Sequence, residues 1–199
     1  MGSIIIVTGL PGVGKTTVLD KAIEKLKRDG VNIGLVNYGT VMLNIARDIG
    51  LVKHRDEMRK LNIAQQLEIQ KEAAKKLNEL AKLYDMLIID THLFINTPRG
   101  RWPGISLNNL SVLNISQIII VEASPEEIIR RREKDEDRVR DKANIEIIND
   151  DLKYNRIMAA ALSIYTSCPV SIIKNHDGWL EKASNEIYNI LSLLLKDRD

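Results

Sequence analysis

The chain has 199 residues, of which 44% are hydrophobic and 4% aromatic, which is enough for one globular domain with a full core. Its 29 lysines and arginines nearly balance its 27 aspartates and glutamates, which argues against nucleic-acid binding through bulk charge. The single cysteine, Cys168, excludes an internal disulfide and a cysteine-rich metal site, and we interpret it as a small buried side chain.

Five short apolar runs rich in β-branched residues predict strands at residues 3–8, 32–37, 86–90, 117–123 and 170–174. The segments between them have helical periodicity at residues 17–28, 40–49, 63–83, 125–135, 145–165 and 180–195. This alternation predicts an α/β fold with a parallel sheet covered on both faces. No uncharged apolar run reaches about 18 residues and the N-terminus lacks a basic leader, so we expect a cytoplasmic protein without a membrane partner.

The stretch GLPGVGKT, between the first predicted strand and the first helix, matches the phosphate-binding pattern G-x-x-x-x-G-K-[ST]. Glycine lets the backbone curl so that successive N–H groups point inward, and the helix dipole also favours an anion there. Lys15 is expected to reach the β and γ phosphates, and the Thr16 hydroxyl to ligate Mg²⁺. The residues predicted to bind ATP are Gly9, Leu10, Pro11, Gly12, Val13, Gly14, Lys15, Thr16 and Thr17.

The end of the third predicted strand offers a second acidic group for the metal. Asp90 follows four apolar residues, and open α/β sheets bind ligands at the carboxyl ends of their strands. We therefore expect Asp90 to hold Mg²⁺ directly or through water, with helix capping as the alternative. His92 either donates to a phosphate or packs within its loop. None of the three histidines, His54, His92 and His176, has an obvious carboxylate partner in the sequence.

Residues 130–142 contain seven positive and five negative side chains. The first half is expected to be a solvated helix face with i,i+4 ion pairs. Arg138 and Arg140 follow the point where the helical pattern ends, in a short loop past the fourth strand. We expect these two arginines to form a lid over a triphosphate, where they would neutralise developing charge and exclude water.

Seven motifs in order resemble the archaeal type of adenylate kinase: GLPGVGKTT (9–17), NYGTVML (37–43), RDEMRKL (55–61), DTH (90–92), TPRGRWPG (97–104), DRVRD (137–141) and NR (155–156). The resemblance implies a P-loop kinase fold, three-layer α/β/α, with a five-stranded parallel sheet in the order 2-3-1-4-5. It also implies an AMP-binding helical insertion at residues 38–84 and a short lid at residues 131–143. The implied reaction is the reversible, Mg²⁺-dependent conversion of ATP and AMP to two ADP, by enzymes that are often homotrimers.

Carried over by position, the resemblance implies two further groups of residues. The implied AMP contacts are Tyr38, Gly39, Thr40, Arg59, His92 and Arg99. The implied catalytic residues are Lys15, Arg138, Arg140 and Arg156. Two positions depart from the family pattern, since Asn96 replaces a usual arginine or lysine and Ser106 replaces a common second proline. We hypothesise that Arg99, or else Arg101, supplies the missing charge from the same loop, with two solvated arginines as the alternative.

The acceptor decides what chemistry the site needs. A nucleoside monophosphate already bears an ionised oxygen at neutral pH, because its second pKa is about 6, so positioning and electrostatics suffice without a general base. The residues leave CMP and UMP open as acceptors, and also a hydroxyl acceptor of the kind used by shikimate and adenylylsulfate kinases. A regulatory P-loop NTPase is a further alternative, although the guanine-selecting motif N-K-x-D is absent from the sequence.

Overall fold

The structure, a computed structural model, describes residues 2–97, 100–106, 113–134 and 144–196, except for the side chain of Arg59. Its elements in chain order are β1 (Ser3–Thr8), α1 (Lys15–Arg28), β2 (Ile33–Asn37), α2 (Tyr38–Asp48), a 3-10 helix (Arg55–Lys60), α3 (Ile63–Ala81), β3 (Met86–Thr91), β4 (Phe94–Thr97), β5 (Gly100–Pro103), β6 (Ile115–Glu122), α4 (Pro125–Glu133), α5 (Ile145–Thr166), β7 (Val170–Lys174) and α6 (Leu180–Lys196). The predicted helices and strands are confirmed, with boundaries that differ by at most two residues. None of the described helices is long and apolar enough to cross a membrane.

Five strands form one parallel sheet in the order β2-β3-β1-β6-β7. Counted without the two remaining strands, this is the predicted order 2-3-1-4-5, so the expected α/β fold is confirmed. The remaining strands, β4 and β5, pair with each other as an antiparallel hairpin. This hairpin was not predicted, because the glycine and prolines of the segment indicated a loop.

The sheet is buried on both faces. Alternate residues of β1 point to opposite sides, so Ile5 packs with α1 and α6 while Ile4 packs with α3 and α5, and both are 0% exposed. Full burial of such a side chain contributes about 1.5–3 kcal/mol, so these two layers account for much of the stability. Cys168 is buried in the second layer, as interpreted from the sequence. A small third core lies among α2, α3 and the residues between them and contains Leu43, Ala46, Val52 and Ile69.

The parallel strands bring several polar residues to one edge of the sheet. Asp90 is paired in register with Val7 near the end of β1. Glu122 and Lys174 end β6 and β7 and are paired with each other in register. The carboxyl edge of the sheet therefore carries ionisable side chains on each side of the glycine-rich loop, which is where this kind of sheet binds ligands.

Candidate active site

The glycine-rich loop of residues 9–16, hereafter the P-loop, connects the carboxyl end of β1 to α1. Gly12 and Gly14 have positive φ angles of 94° and 80°, which side chains other than hydrogen disfavour. Gly14 is the N-cap of α1 and offers no side chain, so the N–H groups of the first turn are open to an anion. A curled backbone at a helix N-terminus is a typical phosphate site.

Two apolar side chains anchor the P-loop in the core. Leu10 is 6% exposed and Val13 is 0% exposed. Gly9 lies against the next strand, because a Cβ at that position would be 2.5 Å from the Val121 carbonyl oxygen. These contacts fix the loop to β6, so Leu10 and Val13 can meet a phosphate only through their backbone.

Lys15 and Asp90 form an ion pair beside the P-loop. The Lys15 ammonium also donates to the Thr91 carbonyl oxygen at 2.8 Å. Burial lowers the pKa of Lys15, an effect that the charge of Asp90 opposes. Only 8% of Lys15 is exposed. The pair brings together the two groups that the sequence placed on different elements.

Asp90 and Thr16 are suited to Mg²⁺ by the chemistry of their oxygens. Asp90 Oδ2 accepts a hydrogen bond from Asn37 Nδ2 at 3.0 Å, which orients the carboxylate at the sheet edge. Thr16 is exposed on the first turn of α1. Among the described residues no group of three or more histidine, cysteine, aspartate or glutamate side chains could hold a metal. A magnesium ion at Asp90 and Thr16 would therefore need oxygens from a nucleotide, as phosphate-bound Mg²⁺ usually does.

His92 lies beside the P-loop rather than in a separate loop. Its Nδ1 atom is 2.9 Å from the Gly9 carbonyl oxygen. A carbonyl oxygen only accepts, so Nδ1 carries the proton and Nε2 is the unprotonated nitrogen of the neutral ring. Burial and the charge of Lys15 lower the pKa of His92, which keeps the ring neutral at pH 7. His92 is otherwise exposed, and donation to a phosphate would need Nε2 to gain a proton.

The start of α2 forms the other side of the site. Asn37 caps the helix, since its Oδ1 accepts from Thr40 N at 3.0 Å and from Thr40 Oγ1 at 3.1 Å. Arg55 reaches this helix end, because a Cβ at Gly39 would lie 2.6 Å from the Arg55 guanidinium. The charge of Arg55 also contributes to the low pKa of His92. Arg55 is thus a cation of this site that the sequence analysis missed.

The side chain of Tyr38 is directed into the core. The ring is 2% exposed and packs in the second core layer, and its hydroxyl donates to the Gln70 carbonyl oxygen at 3.4 Å. Burial also raises the pKa of this phenol. The ring therefore fills the core beneath α3, and a contact between Tyr38 and AMP would use its backbone. The physical reason is that the residue after Asn37 begins α2 on its inward face.

Arg156 is held by a buried carboxylate. Glu122, 1% exposed, accepts from Arg156 Nε at 2.7 Å and Nη2 at 2.6 Å, and from Lys174 Nζ at 2.5 Å. Burial alone would raise the pKa of the Glu122 carboxyl, but these hydrogen bonds hold it below its usual value. Because Nε and one edge of the guanidinium face Glu122, the Nη1 donors of Arg156 face away from it. Glu122 and Lys174 were not predicted, although the strand-end reasoning used for Asp90 applies equally to them.

The arginines of α4 correct the expectation of a solvated helix face. Arg131 donates to Asp177 at 2.6 Å and to the Asn175 carbonyl oxygen at 3.0 Å. Arg132 Nε donates to the Pro11 carbonyl oxygen at 2.8 Å. These side chains join α4 to the P-loop and to the turn after β7. The i,i+4 pairing with Glu127 is only a minor contact of Arg131, at 3.9 Å.

His176 has a carboxylate partner that the sequence did not reveal. Its Nδ1 atom is 2.8 Å from Glu127 Oε2, on the first turn of α4. The two residues are distant in sequence, so only the fold brings them together.

Arg101 is directed to α5. Its Nε and Nη2 atoms donate to Asp151 Oδ1 at 3.1 and 2.8 Å, and its guanidinium carbon lies 4.9 Å from the centre of the Tyr154 ring. This engagement is at odds with the hypothesis that Arg101 replaces the charge missing at Asn96, and with the alternative of a solvated side chain. The hypothesis is left with Arg99. The residues Arg99, Arg138 and Arg140, and the side chain of Arg59, lie outside the described part of the structure.

Comparison with known proteins places this site in a family. A family model described as an AAA domain matches residues 8–149. An adenylate kinase of Methanocaldococcus jannaschii is 45% identical over 188 residues, which cover 94% of this chain and 97% of the relative. An adenylate kinase of Pyrococcus horikoshii is 41% identical over 99% of each chain. The chain belongs to the adenylate kinase family.

A solved structure supports the fold independently of the sequence relatives. A shikimate kinase of Bacteroides thetaiotaomicron matches 96% of this chain and 98% of its own, with a TM-score of 0.58 and 13% identity. At that identity the likeness shows only a shared P-loop kinase fold. Membership of the adenylate kinase family therefore rests on the sequence relatives, while the structural likeness supports the architecture. The hydroxyl-phosphorylating alternative shares this fold without sharing the sequence.

Proposed function

We propose that the chain catalyses the reversible, Mg²⁺-dependent transfer of a phosphoryl group from ATP to AMP, which gives two ADP. The observation that carries the proposal is the ion pair of Lys15 with Asp90 at the mouth of the P-loop, in a chain 45% identical to an adenylate kinase. The pair unites a cation for transferred phosphate with a carboxylate for its metal.

The donor would bind along the P-loop. The backbone N–H groups between Gly9 and Thr17, other than at Pro11, hold the phosphates of ATP, and Lys15 exchanges its contact with Asp90 for a contact with phosphate. Mg²⁺ would be held by Thr16 and Asp90 together with phosphate oxygens, where it neutralises charge on the transferred group. This exchange of partners frees the Asp90 carboxylate for the metal.

The acceptor would bind between α2 and the 3-10 helix. Gly39, Thr40 and Arg59 form this pocket in the proposal, with His92 beside it and Arg99 as the cation that compensates for Asn96. Arg55, whose guanidinium lies against Gly39, is added to the set. Residues 38–84 act as the AMP-binding insertion, and the small third core of Leu43, Ala46, Val52 and Ile69 supports its treatment as a unit.

Catalysis in this proposal is positioning and charge neutralisation. AMP attacks through an oxygen that is already ionised, so no general base is required. Arg156 presents its outward donors to the transferred group from the anchor that Glu122 provides. The lid of residues 131–143 brings Arg138 and Arg140 over the phosphates and excludes water. Only its first residues, at the end of α4, are described in the structure.

An assay with five acceptors tests the function. The purified chain is incubated with Mg²⁺ and ATP alone, and then with AMP, CMP, UMP, GMP or shikimate. We expect ADP to form only with AMP, at a rate that far exceeds the rate without acceptor. ATP hydrolysis without acceptor would favour the regulatory NTPase, and turnover with shikimate would favour the hydroxyl acceptor. A preference for CMP or UMP would retain the reaction class and change the substrate.

The proposal extends to assembly and location. Exposed apolar side chains on α5, with Ile157 62% and Ile164 84% exposed, support self-association, and the family resemblance implies a homotrimer. Sedimentation equilibrium would give a mass near three chains if this holds, and the mass of one chain would contradict it. A cytoplasmic location is supported by a lone buried cysteine in place of disulfides, which suits a reducing compartment.

A further inference from the structure

Side chains from three other segments hold the backbone carbonyls of the P-loop. They engage every second carbonyl, at residues 9, 11 and 13. The pairs are His92 Nδ1 with Gly9 O at 2.9 Å, Arg132 Nε with Pro11 O at 2.8 Å and Asn175 Nδ2 with Val13 O at 2.8 Å. Arg131 Nη1 makes a second, longer contact with Val13 O at 3.3 Å. The outer surface of the loop is thus tied to β3, α4 and β7.

Peptide geometry connects these outer contacts to the inner surface of the loop. In a planar trans peptide the N–H group points opposite to the carbonyl oxygen that precedes it. A Pro11 oxygen held outward therefore turns the Gly12 N–H inward, and a Val13 oxygen held outward does the same for Gly14. Gly12 and Gly14 are also the two P-loop residues with positive φ angles. Their N–H groups are the donors that an anion in the curled loop would meet.

Asn175 is the best placed of the outer residues. It is 6% exposed, and its backbone N–H donates to the Glu122 carbonyl oxygen at 2.7 Å, which fixes it at the end of β7. The amide nitrogen faces Val13, because a carbonyl oxygen can only accept. The same amide packs against Gly14, since a Cβ at Gly14 would lie 2.5 Å from Nδ2. The side chain is therefore held in one orientation, with Nδ2 directed at the Val13 carbonyl oxygen.

We propose that Asn175 is a positioning residue for the triphosphate: it holds the Val13 carbonyl outward and thereby aims the Gly14 N–H at the phosphates. Arg131 shares this task at Val13, and Arg132 performs it at Pro11. The inference rests on the proposed function, since ATP is the anion assigned to the loop. Donors that are already aimed bind charge without reorganisation, which is why a residue that touches no phosphate affects phosphate binding.

Direct binding measurements on the full chain test the inference. Calorimetry gives the Kd of ATP and, separately, of AMP for wild type, Asn175→Ala and Asn175→Asp. We expect Asn175→Ala to weaken ATP about tenfold and to change AMP by less than about twofold. Asn175→Asp should weaken ATP further, because its carboxylate repels both the Val13 carbonyl and the triphosphate. The ¹H–¹⁵N resonance of Gly14 should also lose part of its ATP-induced shift in both variants.

Asn185→Ala is the matched control. Asn185 is an exposed asparagine of α6 whose Oδ1 accepts from Lys25 Nζ at 2.6 Å. Lys25 lies ten residues along α1 from Lys15, about 15 Å at the rise of an α-helix. This control should bind ATP and AMP like wild type. It separates the effect of removing an asparagine at the P-loop from the effect of removing a hydrogen-bonded asparagine elsewhere in the protein.

Several results would overturn the inference. A folded Asn175→Ala protein with wild-type affinity for ATP would do so, and so would equal weakening of ATP and AMP, which indicates a general structural role. If Asn175→Ala does not fold, Arg132→Ala takes its place through Pro11, and unchanged ATP affinity there refutes carbonyl positioning. Turnover of AMP by the wild-type protein tests the proposed function separately. Failure of the inference about Asn175 can therefore be distinguished from failure of the proposed function.

Discussion

Lys15 and Asp90 each contribute both to stability and to the proposed chemistry. Each is the other's counter-charge, and their side chains are 9% and 17% exposed. Removal of either partner leaves the other charged and poorly solvated, which is costly in a protein interior. A variant at Lys15 therefore changes two properties, and both must be measured.

We predict that Lys15→Met lowers kcat by a factor of about a hundred or more, since one lost donor to developing charge costs about 3–4 kcal/mol. The variant should also unfold at lower urea, because Asp90 loses its cation. The double variant Lys15→Met/Asp90→Asn should recover stability without recovering turnover. The measurements are kcat at saturating substrates and urea unfolding curves. Near-wild-type kcat in folded Lys15→Met would contradict the assigned role of the P-loop.

Arg55 gives a second prediction at this scale. If its guanidinium binds the AMP phosphate beside Gly39, Arg55→Ala should raise the KM for AMP about tenfold, the value of one charge-assisted contact, and leave the KM for ATP unchanged. Arg47→Ala is the control, since Arg47 is an arginine of α2 whose Nε donates to the Lys53 carbonyl oxygen. Equal changes in both KM values, or a change in the control, would remove Arg55 from the pocket.

Single residues differ in how far the sequence determined them. Lys15 and Asp90 were predictable because one lies in a motif and the other ends an apolar strand. The partners of Arg101 and His176 were not, because each pair spans about 50 residues of sequence and depends on packing between elements. The buried ring of Tyr38 shows the opposite limit, since a motif position carried over from a family does not fix which way a side chain points.

At the scale of elements, the first turn of α4 both caps its own helix and contacts the turn after β7. Ser124 and Glu127 form a capping box, in which Ser124 Oγ accepts from Glu127 N at 3.3 Å and Glu127 Oε2 accepts from Ser124 N at 2.9 Å. Glu127 also accepts from the Asp177 N–H at 2.6 Å and contacts His176. The cap of this helix thus fastens the turn after β7 as well.

The pH dependence of stability should report this cap. Burial alone would raise the pKa of Glu127, but hydrogen bonds from His176, Asp177 and Ser124 lower it to about 2. A carboxyl with a lowered folded pKa stabilises the protein above its unfolded pKa of about 4.3 and loses that effect as the pH falls towards 2. We predict that Glu127→Gln is less stable than wild type at pH 7, and that the difference shrinks below pH 4. Urea unfolding at pH 7, 4 and 3 checks this, and a difference that does not depend on pH would contradict it.

The elements themselves followed from periodicity to a large extent. The alternation of strands buried on both faces with helices predicted a parallel sheet covered on both sides, whereas the strand order came from the family resemblance. The hairpin of β4 and β5 was missed because its four-residue strands are too short for alternation to stand out from prolines and glycine. The role of the α4 arginines was missed because a charged helix looks the same in sequence whether its side chains face water or carbonyl groups.

At the scale of the whole molecule, one cluster fastens the hairpin to α5. Arg101 lies between Asp151, which is 7% exposed, and the rings of Phe94 and Tyr154, whose centres are 5.0 Å apart. This is the described link between the segment after β3 and the helix that carries Arg156. The cluster therefore joins the hairpin to α5 by an ion pair and ring packing.

A double-mutant cycle measures that link. Arg101→Ala and Asp151→Ala should each lower the free energy of unfolding, by about 1–3 kcal/mol, because each leaves a buried or half-buried partner unpaired. The double variant should be less destabilised than the sum, with a coupling of about 0.5–3 kcal/mol. Additive effects would show that the charge contact contributes nothing beyond packing. Arg101→Lys, which keeps the charge and loses the planar fork, should be intermediate.

The carbonyls of the P-loop are held by residues 83, 121 and 162 positions away in the chain. Contacts of such sequence separation form late in folding, because most of the chain must be ordered before the entropy of closing those loops is recovered. A short peptide that contains β1, the motif and α1 would thus have the phosphate-binding sequence without the phosphate-binding shape. In refolding from denaturant, affinity for ATP should return with the slowest phase that completes the sheet, after most of the helical signal has already recovered.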